Sequence, residues 1–205
     1  MPIPEKISSL LISAVLTVIL CLTLIVGSTF ALFTSEYKVS VSVTSANVDL
    51  VATVDDTSLK TWSYNQTEAD ATDGALVNGG LASVEDEKSL LLQRFTPGDT
   101  VKFNINLENK SDISIKYRVK MVSTGVENFV DLTPALAVTV KIGTTEYSLS
   151  STTPETPYIT ATANEVLGPV TVTITFPDAE DNNDYKKAKA EIVFTIEAVQ
   201  GNGVA

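Results

Sequence analysis

Apolar and polar residues alternate one for one along much of this chain. Tyr37, Val39, Val41 and Val43 alternate with Lys38, Ser40 and Ser42, and Val101, Phe103, Ile105 and Leu107 alternate with Lys102, Asn104 and Asn106. A period of two puts each apolar set on one face of an extended strand. Residues 48–54, 113–122, 136–142, 170–176 and 190–199 carry the same signal, and the abundance of Val and Thr suits half-buried pleated surfaces. Residues 81–94 hold enough Glu, Lys and Leu for a short helix. Thr96-Pro97-Gly98-Asp99 places Pro second and Gly third, which predicts a type II turn. Asn109-Lys110-Ser111-Asp112 separates two strands expected to pair as a hairpin. About eight short strands at this spacing predict an all-β, jelly-roll-like antiparallel sandwich. Residues 65–87 form a long polar insert containing Asp73-Gly74 and Asn78-Gly79-Gly80.

The first part of the chain breaks this pattern. No charged residue occurs from Ile7 to Phe33, and Leu10–Val26 is long enough, with its flanks, to span a bilayer as an export helix. The small residues that follow suggest cleavage, with Thr29 and Ala31 at the minus-three and minus-one positions and the cut before Leu32 or one bond later. An uncleaved anchor is the alternative. Cys21 follows Leu20 in mid-run, which argues against lipid attachment there. The expected organisation is a signal peptide over residues 1–31, an N-terminal arm over 32–46, and a β-sandwich over 47–205.

Composition narrows the chemistry. The 205 residues include 14 Lys+Arg, 25 Asp+Glu and no His, for a net charge of -11. That field opposes binding to nucleic acid or an anionic membrane. Without His, Ser-His triads, Cys-His dyads and His-bearing zinc sites cannot be built. Cys21 is the single cysteine and is lost on cleavage. Stability must then come from the core or from assembly rather than from disulfides.

Three stretches resemble the TasA/camelysin family of exported Gram-positive proteins. They are Gly27-Ser28-Thr29-Phe30-Ala31-Leu32-Phe33-Thr34 running into Asn47-Val48-Asp49-Leu50; Phe95-Thr96-Pro97-Gly98-Asp99 with Glu108-Asn109-Lys110-Ser111 a strand later; and Phe194-Thr195-Ile196-Glu197-Ala198-Val199-Gln200-Gly201-Asn202-Gly203. The resemblance implies a jelly roll, processing by a dedicated ER-type signal peptidase, and a fibre-forming role in the biofilm matrix, with a minor accessory subunit as a further partner. It also implies the opposing activity of a cell-surface metalloprotease. Zinc prefers nitrogen and sulfur ligands, and the mature chain offers neither imidazole nor thiolate.

The arm suggests how such a fibre would grow. Phe33, Tyr37, Val39, Val41 and Val43 lie in a strand-like segment freed by cleavage, which could complete the sheet of a neighbouring copy. Burying four of these side chains would contribute a gross 6–12 kcal/mol, at roughly 1.5–3 kcal/mol each. The alternative is an ordinary first strand of its own domain. The expected function is therefore a self-associating structural subunit outside the cell, against a camelysin-like peptidase or a monomeric surface adhesin.

Other constellations are weaker. Asp178, Glu180, Asp181 and Asp184 form the densest oxygen cluster and suit calcium, although the spacing lacks an EF-hand's Gly and distal Glu and an acidic solvated turn between strands is the more frequent explanation; no other cofactor is expected. Ser35-Glu36-Tyr37-Lys38 matches the S-x-x-K pattern, but residues three apart on a strand face opposite sides. Asn65-Gln66-Thr67 and Asn109-Lys110-Ser111 are formal glycosylation sequons. Trp62, Tyr64, Tyr147 and Tyr158 could form a sugar platform or simply core and cross-strand pairs.

Overall fold

The computed structural model describes residues 36–45, 48–63, 66–75, 81–86, 89–125, 131–178 and 190–201. The export segment, the cleavage residues Thr29, Ala31 and Leu32, and Phe33 of the arm lie outside these residues. So do Glu180, Asp181 and Asp184.

The strands are β1 (Glu36–Ser45), β2 (Leu50–Trp62), β3 (Leu81–Asp86), β4 (Ser89–Gln93), β5 (Thr100–Asn109), β6 (Ile115–Gly125), β7 (Ala137–Ile142), β8 (Thr145–Leu149), β9 (Ile159–Ala161), β10 (Val166–Thr175) and β11 (Ala190–Gln200). They form two sheets, ordered β3-β4-β1-β11-β6-β9 and β2-β5-β10-β7-β8. The chain is an all-β sandwich. Its eight strands β4 to β11 follow jelly-roll order, reading first-eighth-third-sixth in one sheet and second-seventh-fourth-fifth in the other once β1, β2 and β3 are set aside. Every pair is antiparallel except β1 with β11, which run parallel from Tyr37↔Ala190 to Ser45↔Ala198.

Alternation becomes layering. On β5 Val101, Phe103, Ile105 and Leu107 are buried, as are Val170, Val172 and Ile174 on β10 and Ile192, Phe194, Ile196 and Ala198 on β11. Phe103 from one sheet meets Phe194 from the other edge-on, with ring centroids 6.4 Å apart, at the middle of the core. The turn after β4 is type II as expected: Gly98 has φ 93°, and Asp99 N donates to Thr96 O at 3.0 Å.

Two expectations are corrected. Residues 81–94 hold the β3–β4 hairpin, not a helix, because Leu90 and Leu92 point into the core while Leu91 lies half-buried on the other face. The segment 109–112 does not close a hairpin; β5 and β6 lie in different sheets and the chain arches between them. Asn109 makes that arch possible. Its buried side chain donates from Nδ2 to Ile113 O (3.1 Å) and Thr162 O (2.6 Å), while Oδ1 accepts from Ser111 N (3.1 Å). These bonds satisfy backbone groups that leave the ladder in a dry place. They also occupy the amide that a glycosyltransferase would need.

Truncating the central aromatic leaves a cavity that two rigid sheets close poorly. Phe103→Ala is expected to cost about 3–5 kcal/mol, read as a lowered urea midpoint with little change in m-value.

Candidate functional site

The site of interest is the slot that β1 occupies. A jelly roll places its first and last strands side by side, but here β4 and β11 are separated by a whole strand. On one side Glu36–Ser40 pairs antiparallel with Ser89–Gln93; on the other Tyr37–Ser45 runs along Ala190–Ala198. The alternation of the arm is used directly. Val39 and Val41 point inward and are buried, Val39 in a row with Leu90 and Ile192 and Val41 beside Phe194. Ser40 and Ser42 face outward, and Ser42 Oγ donates to Thr195 Oγ1 at 3.1 Å. Val43 lies beyond the end of β4 and stays 36% exposed. Two buried valines at about 1.5–3 kcal/mol each contribute a gross 3–6 kcal/mol, half the value expected for four side chains.

Thus the arm's Tyr37, Val39, Val41 and Val43 all fall on β1, within the sheet of their own chain. The remaining candidates are not gathered. Asp178 is exposed after β10, and among the described residues no group of three or more Asp, Glu, Cys or His could hold a metal. Trp62 lies on β2 and Tyr147 on β8, opposite edges of one sheet, whereas Tyr158 precedes β9 in the other. Arg118 covers the Tyr158 ring at 4.7 Å from its centroid and bonds Glu155 (2.6 Å) and Glu197 (2.7 Å). This half-exposed network fastens the segment before β9 onto β6 and β11.

Alternation alone did not reveal the Asp99 lock, although the Pro-Gly-Asp turn marked its place. Asp99 is 1% exposed. Its Oδ2 accepts from Thr96 N and Thr96 Oγ1, both at 2.8 Å, and its Oδ1 accepts from Ser63 Oγ at the end of β2. Gly98 N donates to Phe176 O (2.6 Å), and Phe176 N to Asp99 O (2.9 Å). The turn thereby ties the ends of β2, β4, β5 and β10 together, at the mouth of the slot where β1 begins.

No protein-family model matches the sequence, and a search of curated proteins returns no match. Among solved structures the chain is similar to the N-terminal domain of PorA, at 13% identity and TM-score 0.27 over 71% of this chain and 99% of that one. It is also similar to the major pilin of Streptococcus pyogenes, at 8% identity and TM-score 0.26 over 82% of this chain and 49% of that one. Overlap at this level carries no functional weight.

Titration should report the lock. Burial holds the Asp99 carboxyl above its ordinary range, against the pull of the Ser63 and Thr96 hydrogen bonds. The folded state then binds that proton more tightly than the unfolded chain, so this contribution to stability falls as pH rises from about 3.8 through the folded value. Asp70 and Glu165 act the other way: bonds from Thr67 and Thr162 lower them, and their contributions are lost as pH falls through the folded values. Asn can keep the geometry by accepting from Thr96 and donating to Ser63. Asp99→Asn is therefore expected to remove the fall in stability above about pH 4, seen in thermal melts against pH, whereas Asp99→Ala costs about 1–3 kcal/mol at or below about pH 4 and less above it.

Proposed function

We propose that the chain is a structural subunit of a fibre at or beyond the cell surface, built by passing β1 from each copy into the slot of the next. The observation that carries this reading is the slot itself. Strand β1 is an insertion between the first and last strands of an otherwise complete eight-strand jelly roll, joined to the sandwich at one end only among the described residues. A strand so placed can be withdrawn without breaking any other pairing. Its removal bares Leu90, Leu92, Ile192, Phe194 and Ile196 together with two rows of backbone groups, which only another extended segment can satisfy. A neighbour's arm supplies that segment in kind.

The resemblance to TasA/camelysin proteins favours the same reading, and the apolar N-terminal segment suits export by signal peptidase. We propose no catalytic role. Calcium at Asp178, Glu180, Asp181 and Asp184 remains a proposal about the segment after β10, independent of assembly.

Two experiments test the assignment. Removing residues 32–44 is expected to abolish filaments in negative stain, and adding a peptide of residues 36–45 to restore a compact, filament-incompetent monomer; filaments from the shortened chain would refute strand passing. Casein incubated with the pure protein is expected to stay intact, whereas chelator-sensitive cleavage with stoichiometric metal would establish the peptidase instead.

A further inference from the structure

Three features of β1 bear on the direction in which a neighbour's strand enters the slot. The first is its connection. Strand β1 ends at Ser45, opposite Ala198, and β2 begins at Leu50, opposite Asn109. Both points lie at one end of the sandwich, where Gly201 N donates to Ser114 O and Lys110 N to Asp49 O. Only residues 46–49 join them, a tether that reaches at most about 18 Å when fully extended.

The second feature is the slot's symmetry. Strand β1 is antiparallel to β4 and parallel to β11, so β4 and β11 oppose each other. A strand entering between them in either direction forms one parallel and one antiparallel ladder. Ladder type therefore does not oppose reversal, which makes the longer ladder, along β11, the antiparallel one.

The third is the sequence of the insert. Val39-Ser40-Val41-Ser42-Val43 reads the same in both directions. Reversal about Val41 places Val43 beside Leu90 and Ile192 and Val39 beside Ile196, with both serines still outward. Val43, partly exposed in its own sheet, then occupies the most enclosed position.

Suppose the neighbour's strand ran as it does within its own chain. It would leave the acceptor at the end where its own β2 begins, so every subunit would have to hold two neighbours at that single end. An 18 Å tether, about the reach of residues 46–49, permits this only as a closed reciprocal pair. Entering reversed, the strand leaves at the opposite end, near the Thr96–Asp99 turn. Donor and acceptor then stack head to tail, and the contact propagates.

We propose that between copies β1 enters the slot in the direction opposite to the one it adopts within its own chain, antiparallel to β11 and parallel to β4. This rests on the strand-passing reading above. It makes reversal the step that distinguishes filament from monomer or swapped dimer.

Single cysteines read the direction. In the full chain carrying Cys21→Ser, a parallel strand sets residue 42 opposite 195, as the Ser42–Thr195 hydrogen bond shows, whereas a reversed strand sets residue 40 there. Filaments are grown from equal mixtures of Ser40→Cys with Thr195→Cys chains, and separately of Ser42→Cys with Thr195→Cys chains, then oxidised and run on non-reducing gels. Any disulfide joining the two variants lies between copies. The inference expects the first mixture to cross-link several-fold more than the second. The opposite ratio in filaments overturns reversal and leaves strand passing standing. Filaments that cross-link in neither mixture, or no filaments at all, overturn both.

Discussion

The gap between β4 and β11 is the constraint on which the rest of this molecule depends. Two opposed strands held about two strand spacings apart cannot hydrogen-bond each other, and each presents a row of unpaired backbone groups toward the other. Something extended must lie between them. The inward rows of both strands, Leu90 and Leu92 on one side and Ile192, Phe194 and Ile196 on the other, also require apolar side chains at alternate positions. An alternating segment such as β1 meets both demands, and the demands do not specify which copy provides it.

The rest of the sandwich keeps the gap open. Besides its ladder with β1, strand β11 is held by its antiparallel ladder with β6 and by the Phe103–Phe194 contact with the facing sheet. At one end Asp99 ties the β4–β5 turn to β2 and β10; at the other the buried Asn109 fixes the arch that carries the chain between sheets. Arg118 fastens the far side of the same sheet through Glu155 and Glu197. These polar anchors lie at strand ends and on the outer face, leaving the inward face of the slot lined by apolar side chains. That inward face matches the alternation of an inserted strand rather than a particular polar group.

How much of this was legible in the sequence depends on where each strand lies. Strands with one dry and one wet face, such as β5 and β11, announce themselves by alternation. Strand β4 does not, because Leu91 is half-covered on the outer face and breaks the period, so Leu90-Leu91-Leu92 with nearby Glu and Lys resembles a helix. The polar edge strand β8, Thr145 to Leu149, lacks a second apolar row to reveal it. Asn109 looked like a hairpin residue, since an Asx turn inside a sheet-to-sheet arch has the same local residues as one closing a hairpin. The turn at Pro97-Gly98 was readable because Pro and Gly act on φ directly, whereas Asp99's burial depends on Ser63, distant in sequence. The arm's apolar face was legible from its valines. Its insertion between β4 and β11 was not, because pairing partners and strand direction leave no mark on a two-residue period.

That last blindness is itself informative. A strand whose partner and direction are strongly specified usually carries an asymmetric feature: a bulge, a charge opposite its mate, or a large side chain matched to one pocket. Between Val39 and Val43 there is none of these, only identical small apolar residues inward and serines outward. The cost is modest stabilisation, since two buried valines contribute far less than bulkier anchors would. The gain is exchangeability. A plug that bound its own slot through unique contacts would fix the chain as a monomer, whereas one that matches only the spacing and polarity of the slot is retained mainly by the proximity its short tether confers. On the strand-passing proposal, crowding raises the concentration of a neighbour's equivalent strand toward that local value, so that it would compete for the slot. The low information content of the Val39–Val43 run is therefore a property of the inserted strand itself, and on the strand-passing proposal it would place the control of assembly in concentration and tether geometry rather than in side-chain recognition along that run.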